Sequence, residues 1–213
     1  MKTYPLLTAD TLPDAVILAD GSYPVNSLPL ALLSGSRYVV CCDGAADAFM
    51  LAGGNPAAIV GDGDSLSEEC RGRFATIIHR VADQETNDLT KAVHFCTGQD
   101  KKDLLILGAT GKREDHTLGN ISLLADYMDR VRVQMVTDYG VFTPVNGDSC
   151  FETYSGQQVS IFMTDTRPVT TSGLRYPVQN RILTNWWQGT LNEASGNSFT
   201  LQTKGKAIVF RAF

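Results

Sequence analysis

The sequence lacks long apolar runs and an excess of basic residues, the features that mark membrane proteins, secreted proteins and general nucleic-acid binders. Its apolar runs fall short of membrane-spanning length, and the first ten residues, MKTYPLLTAD, lack a sustained apolar region. We therefore expect no signal peptide and no membrane association. Basic residues are too few for a general nucleic-acid binder, since 18 Lys and Arg face 23 Asp and Glu and the net charge is −5. A nucleotide is not excluded, because it can be held through a metal.

Three further absences limit the chemistry that the chain could perform. The five cysteines are odd in number and form no CxxC or His-spaced pattern, which argues against a disulfide framework and a zinc site and favours a reduced, cytoplasmic setting. No GxGxxG follows the first predicted strand. The segment GATGKRED (108–115) is not a P-loop, because its glycines are too close together and Arg113 stands where Ser or Thr is required. A glycine loop before a helix can still offer backbone N–H groups to phosphate.

The chain divides into two halves by hydrophobic pattern. Up to residue 138, continuous apolar runs alternate with helix-like segments, which predicts a mostly parallel sheet covered by helices. The predicted strands are 15–19, 37–42, 57–61, 76–81, 103–108 and 131–137, and the predicted helices are 44–54, 67–74, 87–96 and 116–128. From residue 139 the apolar runs are short and partly alternating, at 150–154, 157–163, 175–180, 198–203 and 206–213. We therefore expect an α/β domain at 1–138 and an all-β domain, sandwich or barrel, at 139–213.

Acidic residues recur where the predicted strands end. The set is Asp43 after the second strand, Asp62 and Asp64 after the third, Asp83, Gln84 and Asp88 after the fourth, and Arg113, Asp115 and His116 after the fifth. Carboxyl ends of parallel strands share one edge, where α/β sheets bind ligands. Carboxylates as close in sequence as Asp62 and Asp64 repel unless a cation or a shared proton separates them, and such oxygen ligands suit Mg²⁺ shared with phosphate. Read alone, residues 60–69 are equally typical of a hydrophilic turn.

Asp88 and Lys91 also have a purely structural explanation. Asp88 falls in the first turn of a predicted helix, where a carboxylate is favourable, and Lys91 three residues later can pair with it. Beside the other acids, Lys91 is better explained as a phosphate contact.

Four motifs together resemble those of the thiamine pyrophosphokinase family. They are CCDGAAD (41–47), IVGDGDS (59–65), DQETNDLTKA (83–92) and GATGKREDHTLGN (108–120), and the later segments TTSGLRYPV (170–178) and GTLNEASG (189–196) also fit. The resemblance spans nearly the whole chain. Each motif is weak alone, but their order and spacing together are highly specific.

The resemblance implies transfer of the pyrophosphoryl group of ATP to thiamine, giving thiamine diphosphate and AMP. It also implies a β-sandwich for the second half and a homodimer, with the active site where one subunit's sandwich meets the other's α/β domain. By position it assigns the Mg²⁺ ligands Asp62, Asp64 and Asp88, the nucleotide-site residues Asp43, Lys91, Arg113, Asp115, His116 and Asn120, and the thiamine contact Gln84. The five aspartates of these two sets are the candidate catalytic residues.

The second half supplies further substrate candidates, namely Trp187, Thr190 and Asn192. Trp186 and Trp187 could stack on the cationic thiazolium, although paired aromatic residues more often serve packing. The chain departs from the usual family pattern at Gly63, Asn87, Glu114 and Leu191.

Three other functions compete with this interpretation. One is a related pyrophosphokinase acting on another hydroxyalkyl heterocycle such as a pterin. The others are a non-catalytic thiamine- or nucleotide-binding protein, which needs no metal-bridging acids, and a metal-dependent phosphohydrolase, which needs no second β domain.

Overall fold

The computed structural model describes residues 1–83 and 85–213, which form two compact units: Thr8–Asp138, and Met1–Leu7 together with Tyr139–Phe213. The strands are β1 Lys2–Tyr4, β2 Ala15–Leu18, β3 Val39–Cys42, β4 Ala58–Gly61, β5 Ile78–Arg80, β6 Asp103–Leu107, β7 Arg132–Val136, β8 Gly140–Asn146, β9 Ser149–Glu152, β10 Gln158–Met163, β11 Val169–Ser172, β12 Asn192–Glu193, β13 Ser198–Thr203 and β14 Lys206–Ala212. The helices are α1 Ser27–Gly35, α2 Ala45–Leu51, α3 Glu68–Arg73, α4 Asp88–Gly98 and α5 Glu114–Tyr127, with 3₁₀ turns at Ala75–Ile77 and Trp186–Gly189.

The unit of residues 8–138 is an α/β fold with a parallel sheet. Its strand order is β7-β6-β2-β3-β4-β5, and each neighbouring pair is parallel. Every residue of β2, β3 and β4 is buried, as the continuous apolar runs predict for strands covered on both faces. The first strand of the unit, β2, lies between β3 and β6, so the direction of strand succession reverses there. This reversal is the topological switch point at which open α/β sheets bind ligands.

The second unit is an all-β sandwich. One layer has the strand order β1-β9-β13-β11 and the other the order β12-β10-β14-β8. Side chains from both layers form one core, in which the Phe151 and Phe199 rings stack with centroids 4.7 Å apart. The predicted fold class, a mostly parallel α/β domain followed by an all-β sandwich, is confirmed.

The first seven residues belong to the sandwich unit, whereas the predicted division placed all of residues 1–138 together. The reason is that β1 pairs in parallel with β9, through Lys2 with Ser149 and Tyr4 with Phe151. A three-residue strand carries too little periodicity to reveal its distant partner.

One predicted strand is wrong. Residues 175–180 form no strand, and Asn180 has a positive φ of 45°. Pro177 has no N–H for a strand ladder, which explains why this apolar-looking segment is a loop. The structure also adds elements that the pattern did not predict, namely helix α1 and strands β1, β8, β11 and β12.

Two broader expectations concern environment. No helix in the described part of the chain combines the length and apolarity needed to cross a membrane. All five cysteines are free, and four of them are buried. A cytoplasmic location stays a prediction.

Candidate active site

A pocket of about 550 Å³ opens at the carboxyl edge of the parallel sheet, beside the switch point. It is lined by the segments that follow β2, β3, β4 and β6 and by residues at the starts of α4 and α5. Among the described residues its lining is Ala19, Asp20, Gly21, Cys42, Asp43, Asp62, Ser65, Thr86, Asn87, Asp88, Leu89, Lys91, Ala109, Thr110, Lys112, Arg113, His116, Thr117 and Asn120. Seven of the predicted site residues are therefore brought together: Asp43, Asp62, Asp88, Lys91, Arg113, His116 and Asn120.

Asp43 is the most buried carboxylate of the pocket, with 3% of its surface exposed. Its Oδ2 accepts a hydrogen bond from the Ser65 amide at 3.1 Å, whereas its buried Oδ1 has no hydrogen-bond partner among the described residues. Burial raises the pKa of Asp43, and the charges of Asp62 and Asp88 raise it further. Asp43 also has a positive φ of 36°, a region that costs a non-glycine residue energy. The structure thus holds a desolvated carboxylate in a strained backbone position, and one of its oxygens has no partner in the described part of the chain.

Gly61, the last residue of β4, makes room for this carboxylate. A Cβ at Gly61 would lie 2.8 Å from the Cβ of Asp43, closer than real Cβ atoms approach one another. A glycine at the end of β4 is therefore required for Asp43 to face the pocket.

Asp62 and Asp64 lie in the turn that follows β4. The Asp64 amide donates to Asp62 Oδ1 at 3.0 Å, and this bond is the main reason that the pKa of Asp62 lies below its usual value. Gly63 between them has a φ of 84°, which allows the tight turn. Asp62 lines the pocket, whereas Asp64 is not among the described lining residues.

Asp88 and Lys91 form the ion pair that their spacing allows, with Lys91 Nζ 3.0 Å from Asp88 Oδ1. Lys91 is only 7% exposed, which is rare for a lysine unless it is paired. Both residues also line the pocket, so their ion pair does not prevent them from belonging to the site.

A chain of hydrogen bonds fixes the start of α4. Asn87 caps the helix, since its Oδ1 accepts from the Thr90 amide at 2.9 Å and from Thr90 Oγ1 at 2.8 Å. Its Nδ2 donates to Asn120 Oδ1 at 3.2 Å, and Asn120 Nδ2 donates to the Ala109 carbonyl at 2.9 Å. Thr90 Oγ1 also lies 2.6 Å from the buried Tyr127 hydroxyl. The chain connects α4, α5 and the segment after β6, which together form one wall of the pocket.

Arg113 and Asp115 form a bidentate pair at the start of α5. Arg113 Nε and Nη2 donate to the two Asp115 oxygens at 3.1 and 2.6 Å, and this interaction lowers the pKa of Asp115. Arg113 lines the pocket, but Asp115 is not among the described lining residues. Asp115 therefore contacts the site through the arginine.

Two charged residues of the pocket were missed from the sequence. Lys112 Nζ lies 2.9 Å from Asp20 Oδ1, and both residues line the pocket. Asp20 follows the run AVILA, so the rule that identified acids at the other strand ends would have found it. Lys112 stands in the segment that was rejected as a P-loop, and no motif marks it as a site residue.

Cys42 lines the pocket but is not a nucleophile at neutral pH. It is buried, and desolvation raises the pKa of its thiol well above the usual value. Its Sγ–H donates to the Asp88 carbonyl at 3.6 Å, so its contribution is packing and a weak hydrogen bond.

The predicted substrate residues of the second half lie in the sandwich unit. Trp187 is 70% exposed, and Thr190 Oγ1 donates to the Trp187 carbonyl at 2.8 Å. Asn192 is 9% exposed and holds a neighbouring loop: its Nδ2 donates to the Tyr176 carbonyl at 2.7 Å, and its Oδ1 accepts from the Tyr176 amide at 3.1 Å. Gln84 lies outside the described residues.

No group of three or more His, Cys, Asp or Glu side chains in the described ranges is arranged to hold a metal ion. The donor set nevertheless fits a cation, because Asp43 Oδ1 is buried with no partner among residues 1–83 and 85–213 and the charges of Asp62 and Asp88 act on the same carboxylate. Oxygen ligands of this kind suit Mg²⁺. The ligand set Asp62, Asp64 and Asp88 stays a prediction.

The fold and the pocket define a class of protein: a parallel α/β unit with acids and cations at its switch point, joined in one chain to a β-sandwich. Family models match both units. Residues 30–136 match "Thiamin pyrophosphokinase, catalytic domain", which is half of the chain, and residues 140–210 match "Thiamin pyrophosphokinase, substrate-binding domain". The chain belongs to the thiamin pyrophosphokinase family, and the resemblance seen in the motifs is confirmed.

Individual relatives agree with this assignment. Thiamine pyrophosphokinase 1 of Oryza sativa is 37% identical over 93 residues, 39% of this chain and 35% of the relative. Thiamine pyrophosphokinase of Bacillus subtilis is 29% identical over 140 residues, 61% of this chain and 64% of the relative. The matched segments thus span less than two thirds of these curated relatives.

Solved structures share the fold over a larger part of the chain. The crystal structure of thiamine pyrophosphokinase from Bacillus subtilis aligns with a TM-score of 0.77 at 23% identity, covering 93% of this chain and 98% of that one. Yeast thiamin pyrophosphokinase aligns with a TM-score of 0.78 at 18% identity, covering 100% and 91%. At these identities the likeness concerns the fold.

Proposed function

We propose that this chain transfers the pyrophosphoryl group of ATP to the hydroxyethyl group of thiamine, giving thiamine diphosphate and AMP. The observation that carries the proposal is the pocket at the switch point. There Asp43 Oδ1, which has no partner among the residues that the structure describes, lies in the same pocket as Asp62 and Asp88, beside the cations Lys91 and Arg113. Such a combination is suited to an anionic ligand that arrives with a metal, since neither the acids nor the phosphates are then left uncompensated.

Mg²⁺ is the proposed metal, held by Asp62 and Asp88 with Asp64 from the same turn as Asp62. When bound, the metal neutralises phosphate charge and polarises the phosphoryl group for in-line attack. The chain's own part is to hold these carboxylates in place. The Asp64 amide holds Asp62 and lowers its pKa, and Lys91 holds Asp88 through their ion pair.

The nucleotide is proposed to lie against Lys91, Arg113, His116 and Asn120, with Asp43 and Asp115 supporting them. Phosphoryl-type transfer depends mainly on positioning and electrostatic stabilisation, and these residues supply both. Lys91 is fixed by burial, and Arg113 is oriented by its two bonds to Asp115. Asn120 is held between Asn87 and the Ala109 carbonyl, so the wall it belongs to is pre-organised.

Thiamine is proposed to contact Gln84 and residues of the sandwich unit, of which Trp187, Thr190 and Asn192 are the candidates. Trp187 is exposed enough for its ring to meet a cationic thiazolium. Asn192 has its carbonyl oxygen and one amide proton engaged with residues of this chain, so a contact with thiamine would use its second amide proton. The proposed assembly is a homodimer, with the site formed between the sandwich of one subunit and the α/β domain of the other.

The test is incubation with ATP, Mg²⁺ and thiamine, followed by identification of both products. We expect AMP and thiamine diphosphate in equal amounts, and we expect Asp62→Asn to reduce turnover by at least about a hundredfold, as loss of a charge that positions the reacting phosphate would. Asp10→Asn, an exposed loop residue outside the pocket, is the matched control.

Each competing function gives a different result. ADP as the product would mean an ordinary kinase. Turnover only with a pterin or another hydroxyalkyl heterocycle would mean that the chain is a pyrophosphokinase with a different acceptor substrate. Binding of thiamine or ATP without turnover would mean that the chain is a non-catalytic binding protein. The homodimer is tested separately by sedimentation, where a fully active monomer at assay concentration would contradict it.

A further inference from the structure

Each lysine or arginine among the described lining residues is paired with a carboxylate. Lys91 pairs with Asp88 and Arg113 with Asp115, each within its own turn of chain. Lys112 instead pairs with Asp20, which is distant in sequence and belongs to the segment after β2. Of these three ion pairs, Lys112–Asp20 is therefore the one that joins two separate segments of the chain.

Backbone contacts hold these two segments side by side. The amides of Ala19, Gly21 and Ser22 donate to the carbonyls of Leu107, Gly108 and Thr110 at 2.8, 2.6 and 2.8 Å. A Cβ at Gly21 would lie 2.3 Å from the Gly108 carbonyl oxygen, so the approach requires glycine there. The segments are joined by their main chains and do not need the side-chain pair to stay together.

The pair itself is open to solvent and easily exchanged. The side chains of Lys112 and Asp20 are 57% and 49% exposed, whereas the Lys91 side chain is 5% exposed. An ion pair in water holds two flexible side chains with little net free energy, because solvent screens the attraction. A ligand with several negative charges competes well for such a lysine.

We propose that Lys112 is a phosphate contact for the nucleotide, held by Asp20 while the pocket is empty and transferred to the polyphosphate of ATP when ATP binds. This inference rests on the proposed function only in taking ATP as the ligand. Asp20 then acts as a competing partner that keeps Lys112 over the pocket, and the two residues have opposite effects on nucleotide affinity. If the pair were a simple brace, removing either residue would change affinity in the same direction.

The experiment measures dissociation constants by calorimetry with Mg²⁺ present and thiamine omitted. We expect Lys112→Met to raise the Kd for ATP by about fivefold or more, the effect of losing one charged hydrogen bond. We expect Asp20→Asn to lower the same Kd by roughly two- to fivefold, because a weak competing ion pair is removed. Adenosine, which has no phosphate, should bind equally well to both variants and to the unmodified protein.

The matched control is Lys102→Met, which removes another exposed lysine paired at 3.0 Å, here with Asp100, from outside the pocket. Its Kd for ATP should not change. In the double variant, Asp20→Asn should no longer tighten ATP binding, since the lysine it competes for is absent. The same tightening in the double variant would mean a general charge effect and would overturn the role of Asp20.

An unchanged Kd for ATP in Lys112→Met, a weaker affinity in Asp20→Asn, or an equal loss of adenosine binding would each overturn the proposal. Melting temperatures of all variants exclude misfolding as the cause. The thiamine assay on the unmodified protein tests the proposed function separately. If that assay yields no thiamine diphosphate while the Kd pattern holds, the proposed function fails and the phosphate contact stands.

Discussion

At the scale of single residues, Asp43 combines several features that cost the fold stability. Its carboxylate is desolvated, lies near two like charges and has one buried oxygen that no other described residue contacts by a hydrogen bond. Its backbone adopts a positive φ that asparagine tolerates better than most residues. Features of this kind destabilise a fold and persist where the surrounding structure and the function require them.

We predict that Asp43→Asn raises stability at pH 7 and abolishes turnover. The folded-state pKa of Asp43 is raised, so ionisation is easier in the unfolded chain and the folded state loses stability as pH rises through that pKa. The gain from Asn should be roughly 0.5–2 kcal/mol, the usual size for a stabilising substitution. It should shrink as the pH falls towards the ordinary carboxyl pKa, below which Asp43 is protonated in both states.

The measurement is urea unfolding of both proteins between pH 4 and 8. Asp100→Asn is the control, because Asp100 also has a positive φ, 58°, but its side chain is 85% exposed. It should show any gain that comes from a less strained backbone alone. A pH-independent gain in Asp43→Asn would mean that backbone strain alone is relieved.

Asn192 is a second residue whose hydrogen bonds determine how much a mutation should lower the stability of the protein. Its amide bonds to both the N–H and the C=O of Tyr176. We predict that Asn192→Ala destabilises the protein by about 1–3 kcal/mol, because these partners lose their hydrogen bonds in a part-buried site. Thr190→Ala, with a side chain bonded to a carbonyl three residues away, should cost less. Urea unfolding measures both, and equal small losses would contradict the role assigned to Asn192.

At the scale of elements, the start of α4 determines much of the pocket. The helix begins at Asp88, and its cap, Asn87, also reaches Asn120 on α5. The cap and this bridge between the two asparagines can be separated by mutation, because threonine can cap a helix but lacks the side-chain amide nitrogen that donates to Asn120.

We predict that Asn87→Ala lowers stability by about 0.5–2 kcal/mol, the cost of a lost helix cap. Asn87→Thr should recover most of this loss. If the bridge positions Asn120 for the nucleotide, Asn87→Thr will still raise the KM for ATP while its melting temperature is near that of the unmodified protein. An ATP KM that follows stability in both variants would show that Asn87 acts only as a cap.

At the scale of the whole molecule, the start and the end of the chain are joined within one unit. The buried Arg211 on β14 donates from Nη1 to the carbonyls of Glu152 and Tyr4 at 2.6 and 3.2 Å, and from Nη2 to the Pro5 carbonyl at 3.0 Å. Burial lowers its pKa to about 10, so it is still charged at neutral pH. The first residues therefore solvate a buried cation of the sandwich.

We predict that deleting residues 1–7 destabilises the sandwich unit by at least about 2 kcal/mol, because the guanidinium loses partners that it cannot replace with water. In an Arg211→Met background the same deletion should cost less, with a coupling of roughly 0.5–3 kcal/mol between the two changes. Chemical unfolding of the four proteins measures this cycle. Additive losses would show that β1 contributes through strand pairing alone.

The sequence by itself determined the parallel α/β unit, the all-β character of the second half and the collection of Asp43, Asp62 and Asp88 at one edge. These follow from local patterns: continuous apolar runs specify buried parallel strands, and the residue after each strand must emerge at the carboxyl edge. Asp20 obeys the same rule and was within reach of the sequence.

Only the tertiary structure decided the pairing of β1 with β9, the Lys112–Asp20 contact and the attachment of Asn192 to Tyr176. Each joins segments whose own sequences carry no sign of the partner. Residues 175–180 illustrate the same limit, since their apolar pattern indicates a strand but Pro177 and the bonds to Asn192 hold them as a loop. Local periodicity reports the face that a segment buries, whereas the partner of a polar group depends on where distant segments meet after folding.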